Sequence, residues 1–205
     1  MSIEHKDIPD AQLHKIKGAA TATVGQIPIA NGSGDAPFAT PPFTKARVGF
    51  WDYNDTATTT TPISLVTAGT EYTLTNNGAG VNTLKTYGLP GITDIFNTAT
   101  NYFDFSGLKL GDTIDIRVDL DITTASANNI VDLIIEAGIG VAPYKLTYDT
   151  KYFKTASTHK IVARCSIYVG NDLTKNNPAR LLIKNDTAGS TVKVNGWYTR
   201  VLTNG

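Results

Sequence analysis

Cysteine occurs once, at Cys165, so no intrachain disulfide can form and the chain suits assembly in a reducing compartment. An excess of charge is missing too, since 18 Lys and Arg offset 18 Asp and Glu. That balance gives no electrostatic reason to expect nucleic acid or an anionic membrane as partner. No stretch approaches the ~18 uninterrupted apolar residues that would cross a bilayer, so no membrane insertion is expected. The opening "MSIEHKDIPD" lacks the basic-then-apolar order of a secretory signal. Without a secretory route, the N-x-T matches at Asn54 and Asn185 read as turn residues.

Catalytic spacing is equally scarce. The histidines are His5, His14 and His159, with no HxH, HExxH or Cys–His cluster to hold zinc. No GxSxG elbow exists, and Cys165 alternates with apolar neighbours as a small core residue does. "GSG", "GAG" and "GIG" lack the Lys-Ser/Thr of a phosphate loop. Asp52, Asn54 and Asp55 in "WDYNDT" lack the glycine and glutamate of a calcium loop and read as a polar turn.

Asp119 and Asp121 would lie ~7 Å apart on a strand, a separation open to a glycosidase pair. Acids on a wet strand face, with Arg117 between them, more simply oppose edge pairing and keep the face hydrated. No catalytic, cofactor-binding or metal-binding residue is assigned, and no cofactor is expected. A polysaccharide depolymerase using the Asp115–Asp121 face ranks last among the functions considered.

What the chain does have is strand periodicity. Its 205 residues, 41% of them hydrophobic, can bury one sizeable core with an appendage. In "GDTIDIRVDLDI", Ile114, Ile116, Val118, Leu120 and Ile122 share one face, and Asp115, Arg117, Asp119 and Asp121 the other. "HKIVARCSIYVG" repeats the pattern, and "TVKVNGWYTRVLT" continues it with a kink or bulge expected at Asn195-Gly196. "PISLV", "EYTLT", "IVDLIIEA", "YKLTYD" and "ARLLIKN" complete about eight strands, separated by polar turns such as "ASANN" and "NDTAGS". No segment carries a sustained helical period. The expectation is an all-β antiparallel sandwich, most simply a jelly roll, over residues 46–205.

"IVDLIIEAGIGVAPY" is apolar at alternate and adjacent positions alike, so both faces of its strand read as covered. Aromatics gather at "YFDF", "KYF" and Trp197-Tyr198. This surplus of apolar surface favours contact between subunits over a lone sandwich.

Residues 1–45 read differently, as an extended arm. Pro9, Pro28 and Pro37 interrupt them, and Ile8, Leu13, Ile16, Ile27 and Ile29 are too scattered to form a core. "IPDAQLH" followed by "KGAATATVGQIPIANGSGDAPF" resembles the N-terminal segment of tailed-bacteriophage fibre and head-decoration proteins. Ile8, Pro9, Asp10, Leu13, His14, Lys17 and Gly18 stand at the places of that family's I-P-D-x-x-L-H-x-P-K-G core, while Lys15 and Ile16 replace its usual Glu-Pro. "IYVGNDLTKNNPARLLI" and "TVKVNGWYTRVL" are similar to the trimeric, tumour-necrosis-factor-like jelly-roll tips of such proteins.

The resemblance implies a non-enzymatic virion protein: a homotrimeric head fibre or capsid decoration, assembled in the host cytoplasm and displayed on the virion surface. Its arm would grip the major capsid protein through Ile8, Pro9, Leu13, His14, Ile16, Lys17 and Gly18. The alternative is a tail fibre or receptor-binding protein recognising a host-surface glycan, with Trp51, Tyr53 or Trp197 as stacking residues. Core positions are the plainer reading of those three aromatics.

Overall fold

The computed structural model describes residues 22–24, 26–29, 37–39 and 47–204. The chain divides into two compact units, Met1–Lys45 with Gly205, and Ala46–Asn204. In the first, β1 (Ile27–Pro28) pairs antiparallel with β2 (Phe38–Ala39), and the Ile29 N–H donates to Pro37 O at 2.9 Å. Sequence pattern points to no strand there. Two residues per strand are too few for alternation to register, and a proline in each neighbourhood hides the pairing.

The second unit is built from long strands. Its sequence order runs β3 (Val48–Asn54), α1 (Ala57–Thr60), β4 (Ile63–Leu65), β5 (Glu71–Thr73), β6 (Phe96–Asn97) and β7 (Tyr102–Phe103). It continues with β8 (Thr113–Thr123), β9 (Asn129–Ala137), β10 (Tyr144–Phe153), β11 (Thr158–Tyr168), α2 (Asp172–Asn176), β12 (Arg180–Asn185) and β13 (Ser190–Leu202). One sheet has the order β3-β13-β8-β11 and the other β5-β12-β9-β10, all pairs antiparallel.

Counted along the chain as eight, the strands of the first sheet are the first, eighth, third and sixth. Those of the second are the second, seventh, fourth and fifth. Two interleaved Greek keys produce that order, and it defines a jelly roll. β4 lengthens the edge of the first sheet by pairing with the opening residues of β13, Ser190–Val192.

Alternation explains the packing. β8 points Ile114, Ile116, Val118, Leu120 and Ile122 inward, all essentially inaccessible to water, against Val131, Leu133 and Ile135 of β9 and Leu181 and Ile183 of β12 in the same core. Each such side chain contributes roughly 1.5–3 kcal/mol by leaving water. β3 was read in part as a polar turn, and the structure corrects this. "WDYN" is strand, because Trp51 and Tyr53 point into the core while Asp52 and Asn54 face out.

An aromatic cluster closes one end of the sandwich. Phe96 of β6 meets Trp197 edge-on at 4.7 Å, Tyr53 at 5.3 Å and Phe103 of β7 at 5.0 Å between ring centroids. The Tyr53 hydroxyl accepts from the backbone N–H groups of Ile95 and Phe96 at 3.2 Å and donates to Asp94. Phe103 also exchanges backbone hydrogen bonds with Ala179, which ties this hairpin to the start of β12.

The apolar surplus of residues 130–141 resolves within the chain. Val131, Leu133, Ile135 and Ala137 face the core, whereas Ile134 lies on the outer face beside Leu182 of β12. Both are nevertheless buried. Ion pairs on the same face surround them: Arg180–Glu136 at 2.6 Å, Lys184–Asp132 at 2.7 Å and Lys145–Glu71 at 2.5 Å. The stems of these long side chains cover apolar surface while their heads pair. Ile130 and Val141 of the same stretch are exposed, so the strand is not covered on both faces throughout.

Candidate functional site

The outer face of the β3-β13-β8-β11 sheet gathers side chains from all four strands. Register places Phe50, Arg200, Asp115 and Ser166 in one row across it. The next row holds Asp52, Tyr198, Arg117 and Arg164. All eight point away from the core, because each belongs to the outward parity of its strand. Between the rows lies a shallow cleft of about 400 Å³.

Charges in the cleft are paired unevenly. Arg200 donates from Nε and Nη2 to one oxygen of Asp115, at 3.0 and 2.5 Å. The Ser166 hydroxyl donates to the other Asp115 oxygen. Hydrogen bonding by Ser166, then by Arg200, holds the Asp115 carboxyl below the usual carboxylate range. Arg117 grips Asp119 through two parallel hydrogen bonds, 3.0 and 2.8 Å.

Asp52, at the β3 end, accepts from Asn54 Nδ2 at 2.7 Å, and burial pushes its carboxyl above the ordinary value. Arg164 has no hydrogen bond or ion pair among the described residues, only an attraction to Asp115. The rings of Phe50 and Tyr198 lie nearly parallel, 24° apart, with centroids separated by 5.8 Å.

A second opening, of about 390 Å³, lies beside β10 and β11. Tyr144, Leu146, Tyr168 and Gly170 line it, and Leu146 is exposed there although its strand parity points toward the core.

The residues proposed from sequence fall as follows. Ile8, Pro9, Leu13, His14, Ile16, Lys17 and Gly18 lie outside the described residues. Asp115, Asp119 and Asp121 do share the outer face of β8, but each is engaged: Asp115 by Arg200 and Ser166, Asp119 by Arg117, Asp121 by Asn195 Nδ2 at 3.1 Å. An acid catalyst needs a raised pKa, and Asp115 is shifted the opposite way.

Asp52 and Asn54 face solvent while Asp55 is buried, so the acids of "WDYNDT" diverge. Asp55 instead accepts from the Thr58 N–H at 2.6 Å, the Thr58 hydroxyl at 2.7 Å and the Asn77 N–H at 2.8 Å. Among the described residues, no three His, Cys, Asp or Glu side chains gather where a metal could sit. Cys165 is buried in the core, and burial pushes its thiol up to about 12.

Trp51 and Tyr53 are fully buried and Trp197 is 1% exposed, which removes all three as sugar-stacking residues. Phe50 and Tyr198, their immediate neighbours in sequence, do face outward.

No family model matches the chain, and no curated protein matches it either. Among solved structures, the chain is similar to a chain of infectious bursal disease virus, Gx strain, at 13% identity and a TM-score of 0.42, over 88% of this chain and 37% of that one. It is similar also to the VP2 subviral particle of the same virus, at 14% identity and a TM-score of 0.37, over 89% and 39% of the two chains. A third likeness is to the virus-like particle of the giant freshwater prawn extra small virus, at 14% identity and a TM-score of 0.21, over 89% and 99%. The chain thus spans less than two fifths of the bursal disease virus chains. At these scores the likenesses carry no weight for function, and the jelly roll rests on the strand order described above.

Sequence reasoning missed the cleft because it treated strand faces one at a time. Parity alone shows that Phe50, Arg117, Arg164, Tyr198 and Arg200 point outward. Only the Greek-key order brings β3, β8, β11 and β13 side by side.

Proposed function

We propose that the chain is a non-enzymatic structural protein of a tailed-bacteriophage virion, a trimeric head fibre or capsid decoration. Residues 1–45 are the arm that docks on the major capsid protein, and residues 46–205 the sandwich displayed on the virion surface after assembly in the host cytoplasm. The observation that carries this reading is the jelly-roll strand order of residues 48–202 in a chain whose first residues carry the fibre-type motif "IPDAQLH" with Lys17-Gly18. A rigid sandwich needs no partner to fold. An arm of scattered apolar residues gains order by borrowing surface from one. Fully extended, ~40 residues reach at most ~130 Å, ample for contact with a neighbouring capsid subunit.

Trimerisation draws support from an exposed apolar row at one end of the first sheet. Val48, Leu202 and Tyr168 are 45%, 44% and 68% exposed and lie in register across β3, β13 and β11, interrupted by Thr113 of β8. Exposed Leu110 follows just before β8. Three arms on one trimer would raise the effective concentration of each weak capsid contact.

Incorporation into particles tests the proposal. Virions assembled with the natural chain are expected to retain it through purification. Particles assembled with an Ile8→Asp, Leu13→Asp and Ile16→Asp chain are expected to lose it, while the variant stays folded by circular dichroism. Equal retention of both chains would overturn the anchor, and absence of both from purified particles would overturn the virion assignment.

A further inference from the structure

We infer that the cleft on the outer face of the β3-β13-β8-β11 sheet is a binding site for an acidic saccharide, a sugar ring bearing a carboxylate. The argument begins with a register conflict. Arg164 of β11 stands directly opposite Arg117 of β8 in an antiparallel pair. Like charges at opposed positions destabilise a sheet. Attraction to Asp115 offsets part of that repulsion, but no hydrogen bond fixes the Arg164 guanidinium among the described residues. Positions where a local pairing rule is broken are where function is expected.

The surroundings define what Arg164 can recognise. Arg117 is committed to Asp119 and Arg200 to Asp115, each through Nε and Nη2. Those pairs fix two guanidinium planes beside the third, whose donors have no hydrogen-bond partner among the described residues. A guanidinium in that position matches a carboxylate through two parallel hydrogen bonds.

The other half of the cleft is aromatic. Phe50 and Tyr198 present nearly parallel rings, Tyr198 two strand spacings from Arg164 and Phe50 three, about 10 and 14 Å. A short chain of uronic-acid rings offers what both halves need: a C–H face to lie on an aromatic ring, hydroxyls for the Ser166 and Asp115 oxygens, and a carboxylate on a following ring for Arg164. An acidic peptide would satisfy Arg164 but has no rigid apolar face for the ring pair. The inference concerns this sheet face alone and holds for attachment at head or tail.

Calorimetric titration of the full chain tests it with four probes: a tri-galacturonate, a neutral galactose trimer, a sulfated galactose trimer and a hexaglutamate peptide. Binding of the tri-galacturonate in preference to the other three is expected. Arg164→Gln and Tyr198→Ala should each weaken it about tenfold or more, with Arg164→Lys falling between. Arg164→Gln should melt close to the natural chain, because the lost repulsion from Arg117 and the lost attraction to Asp115 oppose each other, so lost binding with an unchanged Tm separates recognition from misfolding. The site is refuted by silence with the uronate or by full binding in Arg164→Gln. Preference for the sulfated sugar or for the peptide would overturn the assigned ligand class.

Discussion

At the scale of single residues, stability concentrates where side chains replace missing backbone partners. Thr58 is 2% exposed and bridges two elements: its hydroxyl receives the Val194 N–H at 2.7 Å and lies 3.1 Å from the Val194 carbonyl and 2.7 Å from Asp55. Val194 lies between the stretch of β13 that pairs with β4, ending at Val192, and the stretch that pairs with β3, starting at Gly196, so neither strand supplies its partner on that side. Thr58→Val keeps the shape and removes the hydroxyl, leaving the Val194 N–H without its partner and Asp55 Oδ2 with only the backbone N–H of residue 58. A loss of about 2–3 kcal/mol in chemical denaturation is expected, with Tm lower by about 5–10 °C. An unchanged denaturation midpoint would show that water replaces the hydroxyl.

Ionisation works at the same scale. Asp115 is held ionised by Ser166 and Arg200, and Asp132 by Lys184 and Thr150, each carboxyl below its ordinary value. A carboxylate depressed on folding stabilises the native state above its unfolded pKa, and the benefit fades as pH falls through the folded value. Unfolding free energy should therefore drop as pH falls below about 4. Asp115→Asn and Asp132→Asn chains should show a shallower acid slope. Identical slopes would mean that these pairs add nothing to folding.

At the scale of elements, legibility followed strand length. β8, β11 and β13, of 11, 11 and 13 residues, repeat their alternation often enough for face and direction to be read unaided. The expected break at Asn195-Gly196 is a β-bulge, with register shifting between Val194 and Gly196 against β8. There the Asn195 carbonyl turns to accept from the Asp55 N–H at 3.2 Å.

Glycine is required at 196 by close approach. A Cβ would sit 2.6 Å from the Tyr53 carbonyl oxygen of the paired strand. Gly196→Ala should cost about 2–4 kcal/mol, and thermal melts read it directly. A neutral result would mean that β3 can shift away from β13. Some elements escaped sequence reading, although the three-residue β4 and β5 lie within the expected "PISLV" and "EYTLT". α1 and α2 have four and five residues, too few for a helical period, and β3 was obscured because its outward Asp52 and Asn54 resemble turn residues.

At the scale of the whole molecule, the fold class was legible, and surfaces built by several strands were not. Alternation with polar turns indicates a sandwich. The Greek-key order that makes this one a jelly roll depends on pairings between strands remote in sequence, which no local pattern encodes. Residues 130–141 suggested a subunit contact because Ile134 and Val131 cannot both face one core. Ion pairs across β9, β10 and β12 shield that extra side within the chain. The exposed row Val48–Leu202–Tyr168 is contributed by three strands and could not be seen in any one of them.

If that row is buried between copies, light scattering should return three chains of 21.9 kDa, about 66 kDa. Replacing Leu202 and Tyr168 by Lys should then shift the mass toward 21.9 kDa. A natural chain that scatters as a monomer would remove the trimer.

Cryo-electron microscopy of the assembled particle tests the central claim most directly. The account predicts jelly-roll density in groups of three standing on the head, each joined to the major capsid protein by an extended N-terminal strand of density. Density confined to the tail, or particles without it, would contradict the claim.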